Sequence, residues 1–106
     1  MSPEKEEIAV LIRRRRLQVW VHSVIYYVYN ENLISDATWS KWATELEDLQ
    51  TRYPDIAAQV EYADVFKGFD HSTGSNLPTN VNGINRRAEY LLMLCRRNPN
   101  YIIQED

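Results

Sequence analysis

A long N-terminal stretch without helix breakers constrains the fold most. No glycine or proline lies between Glu4 and Asn30, and apolar residues recur near the helical period. Ser2 and Pro3 suit a helix start, because serine caps free amides and proline is tolerated in the first turn. We therefore predict one helix from about Pro3 to Tyr29, roughly 40 Å long.

The two halves of this predicted helix differ in character. Up to Arg16 the sequence offers only a narrow apolar stripe, whereas the segment from Leu17 to Tyr29 is apolar or aromatic on nearly every side. A helix that is apolar all round is normally surrounded by protein. The second half is therefore expected to be wrapped by the rest of the chain.

Two further helices are predicted after a short polar connection. Ser35 and Asp36 form a plausible cap and first-turn acid for a helix that runs to about Arg52. Tyr53 and Pro54 mark a break. The segment 55–64 then carries apolar residues at helical spacing, which predicts a shorter third helix.

The segment from Lys67 to Gly83 contains all three glycines of the chain. A loop of this length is functional more often than it is a mere connection, and disorder is the alternative. Beyond it, Asn82 or Asn85 is expected to cap a closing helix over 84–97, with Cys95 facing inward. No alternating run predicts a strand.

The predicted fold class is all-α, in a single domain over 1–106. It consists of a long helical hairpin, one short helix, a long glycine-containing loop and a closing helix. The length of 106 residues and the 44% hydrophobic content suit one modest core.

Composition excludes several classes of protein. A formal charge of −3 argues against a dedicated nucleic-acid binder. The longest apolar stretch, Val24 to Tyr29, is far shorter than the ~20 residues of a membrane span, and the acidic N-terminus resembles no secretory signal. One cysteine and two histidines are too few for a typical structural zinc site. We expect a cytoplasmic protein without metal or cofactor.

The run Arg13 to Arg16 is the densest basic feature. Successive helical residues are ~100° apart, so these guanidinium groups spread around the helix and only one or two can face one ligand. Arg15 or Arg16 is a candidate for phosphate binding. The alternative, which we favour, is a solvated helix neutralised by Glu6, Glu7 and neighbouring acids.

Aromatic and polar residues near the hairpin form a second candidate site. Aromatic faces with a carboxylate at their rim suit a flat heterocycle whose ribose hydroxyls bind the acid. The alternative is that these aromatics are simply core. The candidates are His22, Tyr26, Tyr27, Asp36, Trp39 and Ser40.

The loop supplies a third group of candidates. Its backbone amides and hydroxyls can meet an anion, although ordinary turn chemistry is the default interpretation and adjacency in sequence is weak support for a catalytic triad. The residues concerned are Asp70, Ser72, Thr73 and Gly74, with His71 between them.

The segment from Leu17 to Asp55 resembles domain Ia of bacterial NAD-dependent DNA ligases. The resemblance is carried by His22, the pair Tyr26 and Tyr27 before Val28, the run Ile34 to Ala37, Leu46 and Leu49, and the closing Tyr53 and Pro54. It implies a helical hairpin that binds the nicotinamide mononucleotide half of NAD. By carry-over, Tyr26 and Tyr27 are the aromatic positions of that pocket and Asp36 is its first carboxylate.

Two positions depart from the ligase pattern. Trp39 stands where the family usually has tyrosine, and Ser40 stands where it has aspartate. Tryptophan keeps a stacking surface without a phenolic hydroxyl, and serine removes one charge. The chain contains no adenylation region, so it is not expected to be a ligase. Over its whole length it looks more like stand-alone ligase-related small proteins of bacteriophages.

The resemblance implies noncatalytic binding of a NAD-derived nucleotide such as nicotinamide mononucleotide, NAD or a cyclic ADP-ribose isomer. In a virus, such a pocket would sequester a host immune signal. The alternative is an interaction module, an anti-defence inhibitor or replication accessory, that docks on a host or phage protein through Trp20, Trp39, Trp42 or the loop. A third possibility is a ligase-like fragment acting in trans.

Overall fold

The computed structural model describes residues 3–72 and 74–103, and over these ranges the chain forms four helices and no strand. The helices are α1 (Pro3–Tyr27), α2 (Asp36–Arg52), α3 (Pro54–Gln59) and α4 (Asn82–Arg97). The predicted all-α class, with a long hairpin, a short helix and a closing helix, is confirmed.

Helix α1 is the central element, and α2, α3 and α4 all pack against it. Every residue of the segment 19–25 is buried, as expected for the second half of this helix. The expectation is wrong at its end, because Tyr26, Tyr27 and Val28 are 53%, 49% and 45% exposed. The largest fully buried side chains include Trp20 and Ile25 of α1, Trp42 and Leu46 of α2, and Phe66. The core therefore surrounds the second half of α1 and includes Phe66 in the segment after α3.

Helix α1 ends two residues before the predicted end. Asn30 has φ 54°, a left-handed conformation that asparagine adopts more readily than most residues. The Glu31 amide donates to the Ile25 carbonyl at 3.1 Å and satisfies one of the free acceptors at the helix end. This turn brings the chain back toward α2.

Helix α2 begins and ends as predicted. Ser35 is the N-cap, and its Oγ accepts a hydrogen bond from the Thr38 amide at 3.1 Å. At the other end, the Tyr53 amide donates to the Leu49 carbonyl at 2.9 Å, and Pro54 starts α3. Ser35 and Pro54 are strong local signals, which explains why both limits follow from sequence.

Helix α3 is shorter than the predicted 55–64, because it ends at Gln59. Val60 is already extended, with φ −83° and ψ 148°. The buried Arg16 guanidinium donates to three backbone carbonyls at this point: those of Ala57 at 2.9 Å, Val60 at 3.0 Å and Glu61 at 2.8 Å. A side chain from α1 thus satisfies acceptors that a longer helix would have used internally.

The segment between α3 and α4 is tied to the core. The Trp20 indole Nε1 donates to the Pro78 carbonyl at 2.8 Å, and its ring meets Tyr62 and Phe66 edge to face at 5.3 and 5.9 Å. The Gln50 side chain donates to the Phe66 carbonyl at 3.1 Å. Contacts from both helices of the hairpin therefore shape this loop.

Helix α4 starts at Asn82, slightly earlier than predicted, and the asparagine cap is wrong. Val81 is the N-cap and makes no side-chain capping bond. The Asn85 side chain instead donates to the Thr79 carbonyl at 3.1 Å. Cys95, expected to face inward, is only half-buried.

The described helices do not include one with both the length and the apolar character needed to cross a membrane.

Candidate functional site

A pocket lies where the end of α1, the connection to α2, the first turns of α2 and the glycine-containing loop meet. Its volume is about 230 Å³. Most of the site residues predicted from sequence line it together. They are His22, Tyr26 and Tyr27 of α1, Asp36, Trp39 and Ser40 of α2, and Ser72 and Gly74 of the loop.

Two tyrosines form the outer wall of the pocket. Tyr26 is 53% exposed and Tyr27 is 49% exposed, so both rings are accessible. Their centroids are 4.9 Å apart and their planes stand at 86°. Because the rings are perpendicular, a flat ligand can stack on one of them while the other presents its edge.

Trp39 forms a fixed inner wall. Its Nε1 donates to Ser23 Oγ at 3.1 Å and approaches the Val19 carbonyl at 3.3 Å, while Ser23 Oγ donates to the same carbonyl at 2.7 Å. The indole N–H is thus engaged inside the protein. Trp39 therefore offers a ligand an aromatic surface and no free donor.

Gly74 allows the loop to approach this wall. A Cβ built on Gly74 would overlap Ser23 Oγ and lie 3.0 Å from Trp39 Cζ2. Because Ser23 is held by its own hydrogen bonds to Val19 and Trp39, it has little freedom to move aside. A glycine is therefore required here for close packing.

His22 supplies a buried, neutral imidazole. The residue is only 6% exposed, and burial lowers the pKa of His22 to about 4. Its ring centroid lies 5.5 Å from that of Trp42. Among the described residues, no hydrogen-bond partner reaches its buried Nδ1. At neutral pH, His22 therefore brings no charge to the pocket.

The charged residues of the lining are acidic. Asp36 and Glu31 line the pocket, and none of its described lining residues is a lysine or arginine. Arg96 of α4 lies outside the lining but next to it, with its Nη2 3.5 Å from Glu31 Oε1. Arg96 is not among the candidates predicted from sequence, because a basic pair at a helix C-terminus is ordinarily explained by the helix dipole.

Arg15 and Arg16 lie outside the pocket lining, contrary to the expectation that one of them joins Gly74 at a phosphate. Arg15 is 6% exposed, with its Nε 3.3 Å from Glu45 Oε2. Arg16 is 1% exposed and bonds to Gln50 as well as to backbone carbonyls. The solvated-helix interpretation also does not hold for this buried pair.

The loop residues before Gly74 are arranged by turn chemistry. Asp70 accepts a hydrogen bond from the Ser72 amide at 2.7 Å, which lowers the pKa of Asp70, and it lies outside the pocket lining. His71 contacts Glu47 through its amide and its Nδ1, each at 3.1 Å. Thr73 lies outside the described residues.

Glu47, Asp70 and His71 offer ligand atoms within 4.8 Å of one another. Oxygen and imidazole donors at this spacing suit a divalent transition metal. All three side chains are at least partly exposed, however, and the His71–Glu47 and Ser72–Asp70 hydrogen bonds already account for their positions. The cluster anchors the loop to α2.

Tyr26, Tyr27 and Asp36, the positions expected from the resemblance of the segment 17–55 to a ligase Ia domain, line the pocket. Comparisons of the chain with protein family models, with curated proteins and with solved structures found no match.

Proposed function

We propose that this protein binds a NAD-derived or related nucleotide without chemical turnover. The observation that supports this most directly is that Tyr26, Trp39 and Asp36 line one accessible pocket. Two faces for stacking and a carboxylate for hydroxyl groups are what a ribosylated heterocycle requires. If these side chains had packed against one another, the hairpin would have no space for a ligand.

The size of the pocket favours one nucleoside unit. Its volume is about 230 Å³, and pockets that enclose a drug-sized ligand usually measure about 300–1,000 Å³. A pyridine or purine ring with its ribose fits this scale better than a complete dinucleotide does. Of the NAD-related candidates, nicotinamide mononucleotide therefore comes first, and NAD and cyclic ADP-ribose isomers follow.

The aromatic residues and Asp36 of the lining have separate roles in binding. The heterocycle stacks between Trp39 and one of the two tyrosines, and Asp36 accepts hydrogen bonds from ribose hydroxyls. His22 remains neutral at the inner end, because burial lowers its pKa to about 4. Ser40 contributes no charge at the position where the ligase family usually has an aspartate.

The proposal assigns no catalytic residue. A protein that holds a nucleotide and does not convert it removes that nucleotide from solution in proportion to its own concentration. In the cytoplasm, this is the property that a sponge for a nucleotide immune signal needs. The DNA ligase reaction and nucleic-acid binding are outside the proposal.

Calorimetry and thermal unfolding test the proposal with nicotinamide mononucleotide, NAD and cyclic ADP-ribose isomers. A ligand at a hundred times its Kd stabilises the native state by about 2.7 kcal/mol, so the melting temperature should rise clearly. Asp36→Asn should weaken binding. Asp48→Asn, an exposed acid elsewhere on α2, is the matched control and should not. If none of these nucleotides raises the melting temperature at millimolar concentration, the proposal is contradicted.

A second candidate function is a protein interaction module, favoured by the contiguous exposed residues Tyr26, Tyr27 and Val28. Large exposed apolar patches often mark contact sites. Trp20 and Trp42 cannot be the docking residues expected from sequence, because they are 1% and 0% exposed. A stoichiometric complex that Tyr27→Ala abolishes and Asp36→Ala leaves intact would support this function over nucleotide binding.

A further inference from the structure

We infer that Arg96 binds the phosphate of a nucleoside monophosphate, and that the phosphate replaces the Glu31 carboxylate as the partner of the Arg96 guanidinium. This inference rests on the proposed function, since it names a phosphate-binding residue for the same pocket. It assigns to α4 a part in a site that otherwise belongs to the hairpin and the loop.

The position of Arg96 carries the inference. Glu31 lines the pocket, and Arg96 Nη2 lies 3.5 Å from Glu31 Oε1. The guanidinium therefore lies beside a lining residue, although Arg96 is not itself part of the lining. Arg13, Arg15 and Arg52 instead pair with acids that do not line the pocket, namely Glu61, Glu45 and Asp48.

The existing ion pair is easy to exchange. The Arg96 side chain is 69% exposed and that of Glu31 is 46% exposed. Exposed pairs of this kind contribute little, because solvent screens the charges and two long side chains must be ordered. The release of Arg96 from Glu31 therefore costs little free energy.

A phosphate monoester is a stronger partner than a single carboxylate. It carries about −1.5 to −2 charges at pH 7 and three acceptor oxygens, and the planar guanidinium fork matches two of these oxygens at once. Arg96 lies in the last turn of α4, where the negative end of the helix dipole offers no attraction to anions. The attraction must therefore come from the guanidinium, and one substitution should remove it.

The other candidate arginines are already engaged. Arg16 donates to Gln50 and to backbone carbonyls, and Arg15 pairs with Glu45 and donates to Gln18 at 2.6 Å. Both are buried away from the pocket lining. Recruitment of either one would break buried interactions, whereas recruitment of Arg96 exchanges one exposed ion pair.

Matched ligands with and without phosphate isolate this interaction. Calorimetry at low salt compares nicotinamide mononucleotide with nicotinamide riboside, and AMP with adenosine. The variants are Arg96→Gln, Glu31→Gln and the control Arg97→Gln, which removes the neighbouring exposed arginine. All three changes are at exposed positions, and thermal unfolding without ligand checks that the fold is kept.

The unmodified protein should bind the phosphorylated member of a pair about tenfold more tightly, and Arg96→Gln should remove most of that preference without changing the affinity for the nucleoside. Arg97→Gln should change neither. Glu31→Gln should strengthen phosphate binding by a fewfold, and this gain should disappear in the double variant, because Glu31 acts through Arg96.

Two results would overturn the role of Arg96 alone, and a third would overturn the proposed function as well. If Arg96→Gln weakens nucleoside and nucleotide equally, or weakens neither, Arg96 does not bind the phosphate, while binding in the pocket stands. If the unmodified protein binds no member of either pair and none of the NAD-related panel, the proposed function fails, and the role of Arg96 fails with it.

Discussion

Gly74 and Ser23 are in direct contact across the pocket floor, with no room between them for a methyl group. A Cβ at Gly74 would overlap Ser23 Oγ, and that hydroxyl is fixed by bonds to Val19 and Trp39. The loop and the hairpin therefore meet as closely as two parts of a packed core.

The substitution Gly74→Ala should push the loop away from Trp39. We expect a loss of stability of about 1–3 kcal/mol, the usual range for an overpacked site, together with weaker ligand binding. Urea unfolding and calorimetry measure the two effects. Gly83→Ala is the control, because a Cβ at Gly83 meets nothing within 4 Å and alanine is favoured in a helix. Equal behaviour of the two variants would contradict the close contact.

Arg16→Met should be among the most destabilising substitutions on α1. It leaves the carbonyls of Ala57, Val60 and Glu61 without their donor, and the first of these bonds is buried while the other two are part-buried. An unsatisfied buried acceptor costs about 1–3 kcal/mol and a part-buried one less, so we expect a total loss of about 2–4 kcal/mol by chemical denaturation. Arg14→Met, at an exposed position on the same helix, should be nearly neutral. A similar small loss in both variants would show that the Arg16 contacts do not stabilise the fold.

Acidification should destabilise the protein through His22. Burial lowers the native pKa of His22 to about 4 from its usual 6.5, so the unfolded state binds a proton that the native state excludes. Stability is therefore full above pH 6.5 and falls as the pH drops toward 4, by about 2 kcal/mol at pH 5 from this group.

Denaturant unfolding at pH 7.5 and pH 5 measures this loss. The variant His22→Gln should lose less stability between the two pH values than the unmodified protein does. An identical pH dependence in the two proteins would contradict a depressed His22 pKa.

Trp20→Phe should loosen the loop. The change removes the hydrogen bond to the Pro78 carbonyl while it keeps an aromatic ring beside Tyr62 and Phe66. The expected cost is about 1–3 kcal/mol, because a partly buried carbonyl is left without its donor. Hydrogen exchange should show faster exchange in the segment 74–81, with little change in α2. Unaltered protection of this segment would show that the Trp20 bond does not hold it.

Local signals explain which parts of the fold follow from sequence. The start of α2 at Ser35 and its end before Pro54 depend on residues within a few positions, and the burial of the segment 19–25 follows from its largely apolar character. The end of α3 could not be predicted in this way. It depends on Arg16, which lies 41 residues before Ala57 in the chain.

In the candidate site, too, only the residues whose positions depend on local signals follow from sequence. Tyr26, Trp39 and Asp36 were predicted to meet because a short connection joins their helices. The contact of Arg96 with Glu31 could not be predicted, because it depends on the packing of α4 on α1. No local pattern in the sequence encodes this packing. The burial of Arg15 also depends on a distant partner, Glu45 of α2.

The reach of Arg16 to the end of α3 has a consequence for the order in which the molecule assembles. Contacts between residues far apart in sequence form slowly, because the intervening chain must first be closed into a loop. We expect the segment that leaves α3 and later supplies Ser72 and Gly74 to reach its final course only after α1 has docked there. The side of the pocket formed by the hairpin should therefore form before the side formed by the loop. A ligand that contacts both the hairpin and the loop would slow the local opening that exposes the loop to proteases.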